Sequence, residues 1–156
     1  MLVSNHVLSG AVIGAAVRRP LPAFAIGVAS HFAFDTVPHW GKFGGGTRGL
    51  LRVAVPDGLI GLTVIGAMAA IAPRERRVAV LAGMAGAALP DLDKPSVLWF
   101  GRSPFPRAVD DFHSGIQHEA PNRAHYEAIF AVIFSSIAIA MLRRREELAQ
   151  PGAPQS

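Results

Sequence analysis

The stretch SHFAFDTVPHW, residues 30–40, sets His31, Asp35 and His39 four residues apart in otherwise apolar sequence. In an α-helix, positions i and i+4 differ in direction by about 40°, so His31 and Asp35 point the same way and can share one ligand. Pro38 ends such a helix and leaves His39 on the next turn, to reach back or to meet a second ion. The same residue types recur as Asp91 and Asp93 in LPDLDKP and as His113 and His118 in FHSGIQHE. The chain has no cysteine, which excludes disulfides, thiolate zinc sites and cysteine-held iron–sulfur clusters. A mixed His/Asp set suits one or two divalent ions, zinc first, with manganese or iron as alternatives. Such an ion acidifies a bound water toward neutrality, which equips it to attack an ester or phosphoester. It also answers why a greasy helix carries Asp35, because an uncompensated carboxylate there costs a few kcal/mol. Arg102, Arg107 and Arg123 lie where they could hold an anionic substrate group or, equally, lipid phosphates. Asp57, in VPDG, is expected in the first turn of a helix, where an acid is also stabilising without any chemistry.

The elements that would position these residues follow from composition. Of 156 residues, 51% are hydrophobic and 17% charged, and the mean hydropathy is +0.34. This is the mix of a membrane protein of one domain. Net charge is +4, but the arginines form short clusters between apolar runs instead of one basic face, which argues against nucleic acid. Five apolar segments run at helical period, near residues 3–17, 21–37, 53–72, 78–92 and 124–142. The predicted fold is an all-α integral membrane bundle of about five helices over residues 1–145, with a long loop, 93–123, between helices 4 and 5. Residues 146–156 read as a disordered tail.

Gly10 and Gly14, and the run LAGMAGAAL at 81–89, provide small surfaces for close helix contact in lipid. Pro20, Pro22, Pro38, Pro56, Pro73, Pro90 and Pro95 are expected at segment ends. GKFGGGTRGLLR, 41–52, reads as a flexible connector without a phosphate-loop pattern. The N-terminal run has no basic residues before it and reads as a retained helix, not a cleaved signal peptide.

Alternating five spans puts Arg18/Arg19, Arg74/Arg76/Arg77 and Arg143/Arg144/Arg145 on one face, cytoplasmic by the positive-inside rule. All six histidines, with Asp35, Asp57, Asp91, Asp93, Asp110 and Asp111, fall on the other face. The expected location is a bacterial cytoplasmic (inner) membrane, with the polar site on its non-cytoplasmic side and the C-terminus in the cytosol. Trp40, Phe43, Trp99, Phe100 and Phe105 fall with the histidines, as an interfacial aromatic belt would.

SNHVLSGAVIG, ALPDLD and HSGIQH together resemble the pattern of the membrane-bound metal-dependent hydrolase (YdjM-like) family. That resemblance implies that His6, Asp91, Asp93, His113 and His118 occupy metal-binding positions. SHFAFDTVPHW separately resembles a His-x-x-x-Asp-x-x-Pro-His signature of small bacterial membrane proteins and, more distantly, of zinc-dependent phospholipase C-like proteins, which adds His31, Asp35 and His39. Ser114, Gln117 and Glu119 depart from the family's pattern, so the loop's role is not carried over whole. The implied function is hydrolysis of a lipid-linked or membrane-proximal ester or phosphoester, with Glu119 or Asp57 as general base. The alternative is a non-enzymatic membrane protein, a metal or proton pathway or an assembly factor, whose His/Asp cluster is structural. Partners expected are the bilayer and a lipid or lipid-linked substrate. No residue set suggests a serine or cysteine nucleophile.

Overall fold

The computed structural model describes the backbone of residues 1–148 and side chains through residue 143. Among the described residues the fold is all-helical apart from one two-residue strand pair: α1 (Val3–Val17), α2 (Pro20–Asp35), β1 (His39–Trp40), α3 (Gly46–Ile71), α4 (Arg74–Ala88), a 3-10 turn (Leu89–Leu92), α5 (Asp93–Phe100), α6 (Arg107–Ile116), β2 (Glu119–Ala120) and α7 (Ala124–Leu148). Each of the five expected segments coincides with a helix.

Three boundaries differ from the sequence reading. The connector 41–52 is not all loop: Gly45 and Gly46, with φ of 89° and 58°, turn the chain, and α3 starts at Gly46. Pro56 therefore lies inside α3 and Asp57 well past its first turn. A proline removes one amide and crowds one preceding turn, which an otherwise well-packed helix can absorb. The connection 93–123 is not a bare loop, since it folds into α5, α6 and β2. At the C-terminus α7 continues to Leu148, into the expected tail, and the rest of that tail lies outside the described residues.

Helix α1 is the hub, with ten of its fifteen residues buried, and α2, α3, α4 and α7 pack around it. Close packing depends on missing side chains. A Cβ on Gly10 would stand 2.4 Å from the Gly83 carbonyl oxygen, and one on Gly86 would stand 2.2 Å from the Phe24 carbonyl oxygen. The small-residue faces thus let α1, α2 and α4 meet backbone to backbone.

The outside is greasier than much of the inside. Leu21, Leu59, Leu62, Val78 and Val132 are exposed, while Asn5, His6, His31, Asp35, His39, Asp57, Arg76, His113 and Glu127 are buried. Helices α3 and α7 are long and apolar enough to cross a membrane. At 1.5 Å per residue they measure about 38 Å, against a hydrocarbon core of about 30 Å. Helices α1, α2 and α4, of 15, 16 and 15 residues, measure only about 23 Å. The N-terminal end of α1 meets the C-terminal ends of α2 and α4. The strand pair, α5 and α6 are at this same end.

Candidate metal centre

Two carboxylates from other helices fix the start of α1. Leu2, at its N-cap, offers no side-chain acceptor, and the free amides of the first turn need partners. Asp57 from α3 accepts the Val3 and Ser4 N–H groups at 2.8 and 3.2 Å. Glu127 from α7 accepts the Leu2 N–H at 3.2 Å and the Asn5 side-chain amide at 2.7 Å. Its other oxygen accepts the Trp40 N–H at 3.1 Å, tying α1 to β1 through one buried side chain. His6 follows one residue after Asn5 and is carried into the core.

Asp35, on the last turn of α2, is the centre of the cluster. Its Oδ1 lies 3.1 Å from His6 Nε2 and 2.6 Å from the Met1 α-ammonium. Its Oδ2 lies 3.2 Å from His31 Nε2, 3.0 Å from His113 Nε2 and 3.3 Å from the Gln117 side-chain amide. His31 is one turn back on α2, as the i, i+4 spacing requires. Its Nδ1 donates to the Ala87 carbonyl at 2.7 Å, near the end of α4. That bond fixes the tautomer and leaves Nε2, in the neutral ring, with a lone pair facing the cluster. His6 stacks on His31 with ring centroids 3.8 Å apart.

The 3-10 turn after α4 delivers Asp91, whose Oδ1 lies 3.8 Å from His31 Nε2 and 3.9 Å from His113 Nε2. Asp93, at the start of α5, stands behind His113, with Oδ2 3.5 Å from its Nδ1. Helix α6 carries His113 on its last turns and ends at Ile116. Burial lowers the pKa of this imidazole, but Asp35 and Asp93 outweigh it and push the group up to about 9. Without a metal, the cluster thus favours a proton on His113.

Donor spacing tests whether these residues fit a metal ion. Metal–ligand distances of about 2.0–2.2 Å put neighbouring donors about 3.0 Å apart in octahedral coordination and about 3.4 Å in tetrahedral. The His31, His113 and Asp35 donors lie 3.0, 3.0 and 3.2 Å from one another. Three overlapping groups place their donors within metal-sharing range: His6/His31/Asp91, His31/Asp35/His113 and Asp91/Asp93/His113. The donor chemistry and spacing fit a divalent ion, and the sharing of residues between groups leaves room for one ion or two.

Of the residues singled out from sequence, His6, His31, Asp35, Asp91, Asp93 and His113 meet here. His39 is buried but belongs to none of these groups. Its Nδ1 donates to the Val37 carbonyl, and its Nε2 faces Glu119 Oε1 at 3.8 Å. Glu119 lies folded over Gly41, where a Cβ would collide with its carboxylate. The nearby imidazole lowers its pKa against the opposing effect of burial. His118 is exposed, on the segment between α6 and β2, with its backbone N–H donating to the Asp35 backbone carbonyl. Asp57 caps α1. Arg107 pairs with Asp111 at 3.7 Å, Arg123 donates to the His118 carbonyl at 2.6 Å, and Arg102 is exposed.

Sequence reasoning passed over Asn5, Glu127, Gln117 and Lys94. Glu127 carried the same signal as Asp35, a carboxylate in an apolar helix, and could have been found by it. The others are ordinary polar residues that only their neighbours make notable. Comparison of the chain with protein-family models, curated proteins and solved structures finds no match in any of the three.

Proposed function

We propose that this protein is an integral membrane, metal-dependent hydrolase of a lipid-linked or membrane-proximal ester or phosphoester, with His6, His31, Asp35, Asp91 and His113 as its ligands. The observation that supports this most is the meeting of their donors from four separate elements, with the His31 ring already held in the ligating tautomer. A bound divalent ion, zinc by donor type, would supply Lewis acidity and an acidified water.

The chain's own residues then have distinct tasks. Ala87 orients His31 and Asp93 orients His113, each through Nδ1, which is how outer partners commonly fix metal-ligating histidines. Asp35 and Asp91 neutralise the ion. The N-terminal end of α1 and the C-terminal ends of α2 and α4 hold the site, and α5 and α6 border it. Glu119, half-buried beside His39, is engaged neither in the cluster nor at the α1 N-terminus, and it is the candidate base. The arginine clusters at the far end, Arg18/Arg19, Arg74/Arg76/Arg77 and Arg143, support an orientation with that end in the cytosol and the cluster on the opposite side.

The test is elemental analysis of detergent-purified protein reconstituted with zinc or manganese. Wild type and His118→Ala should retain stoichiometric metal, and Asp35→Ala, His31→Ala and His113→Ala should lose it. Retention in the three cluster variants would end the proposal. The competing reading, a purely structural knot of helices, draws on how fully Asp35 is hydrogen-bonded by the chain alone. It predicts wild-type protein that binds no metal at all.

A further inference from the structure

Most side chains of the cluster are buried. His6 and His31 are 0% exposed, Asp35 1%, His113 4% and Asp91 11%, whereas the Lys94 side chain is 44% exposed. Lys94 stands on the first turn of α5, three residues after Asp91, and its ammonium donates to Asp91 Oδ1. This is the same oxygen that faces His31 and His113. The ammonium therefore touches the proposed ligand set from its solvent side.

We propose that Lys94 is the anion-holding group of this site and that the substrate class it selects is a phosphoester rather than a neutral carboxylic ester. The inference rests on the metal-dependent reading above. The walls of the site are carboxylates, Asp35, Asp91 and Asp93, and an incoming phosphate is repelled by whatever part of their charge the metal leaves uncompensated. A neutral ester meets no such repulsion and gains little from a nearby ammonium.

An ammonium has three donors, and Asp91 takes one, with no other side-chain acceptor on it among the described residues. The Lys94 side chain is partly exposed, so a non-bridging phosphoryl oxygen could receive a charge-assisted hydrogen bond from one of the remaining donors. Arg102, Arg107 and Arg123 do not serve here: Arg107 and Arg123 are engaged elsewhere, and Arg102 makes no side-chain contact with the cluster.

The experiment uses full-length protein in detergent, loaded with manganese, with inorganic phosphate as the probe. Paramagnetic broadening of the phosphorus-31 resonance reports phosphate held beside the ion, and elemental analysis of the same samples reports metal content. Wild type and Lys94→Arg should bind phosphate saturably, and Lys94→Gln should bind it at least about tenfold more weakly, the loss of one hydrogen bond to a charged group, while keeping its manganese. Unchanged phosphate binding in metal-replete Lys94→Gln would overturn the proposal. Loss of manganese from that variant would also overturn it, by assigning Lys94 to holding Asp91. Failure of wild type to hold manganese would instead bring down the metal-dependent reading, and this inference with it.

Discussion

Asp57 offers the sharpest quantitative test, because its sequence position suggested catalysis and its contacts describe a helix cap supplied from another helix. Replacing it with Ala strips acceptors from two amides, Val3 N–H at 2.8 Å and Ser4 N–H at 3.2 Å. Loss of an ordinary N-cap costs about 0.5–2 kcal/mol. Here the acceptor is 6% exposed and charged, and each hydrogen bond to a charged group is worth about 1.5–3 kcal/mol. Some relaxation is available because α1 can fray by one residue. The expected loss is therefore about 2–4 kcal/mol for Asp57→Ala, and about half that for Asp57→Asn, which keeps one acceptor oxygen. Reversible unfolding in mixed micelles, followed by circular dichroism, measures both, and metal content measures whether His6 has moved. Stability within about 0.5 kcal/mol of wild type, less than the weakest cap, would refute the capping argument. If hydrolysis were abolished at the same time, Asp57 would regain the general-base role its position suggested.

Other consequences follow from the same geometry. Gly10→Ala places a methyl 2.4 Å from the Gly83 carbonyl oxygen, and should cost at least about 2 kcal/mol because backbone cannot swing aside. Gly66→Ala, with nothing within 4 Å, should gain about 0.5–1 kcal/mol as a mid-helix glycine replacement. Melting curves of the two variants that fail to move in opposite directions would discredit the packing. His113 has its pKa pushed up from 6.5 to about 9 in the metal-free chain. The stability this confers is complete below pH 6.5 and is lost as pH rises through 9. Metal competes with that same proton, so the increment in melting temperature from added zinc should grow over this window. A pH-independent increment would count against His113 as a ligand. Trp99 and Phe100, at 73% and 74% exposure on a helix that buries nothing in the chain, should lie at the bilayer interface. In a Trp40→Phe background, lipid-attached nitroxides should quench Trp99 fluorescence more strongly than aqueous iodide, and the reverse order would place α5 in water.

Helix positions were legible because an apolar run of sufficient length has few options other than a helix when water is scarce, and proline and glycine mark most of its ends. Pro56 misled for a local reason, since a single proline interrupts one hydrogen bond and not the packing on either side. Most candidate ligands were legible too. His and Asp in an apolar sequence carry a cost that calls for a partner, and alternation of the helices placed them at one end. The pair His31 and Asp35 needed only helical periodicity.

What sequence could not supply was which of those residues meet. His113 and His118 look equivalent by spacing, yet α6 ends between them, and the extended backbone from Gln117 leaves one in the cluster and the other in solvent. Asp57 and Glu127 took their roles from α1, whose unpaired amides exist only once the helix forms and whose position against α3 and α7 is set by packing. Lys94 gained significance from the 3-10 turn that brings Asp91 beneath it. Residue type fixes what chemistry is affordable, but proximity among residues far apart in sequence is a property of how the helices pack. Here that packing is governed by glycines and alanines that carry no functional group of their own.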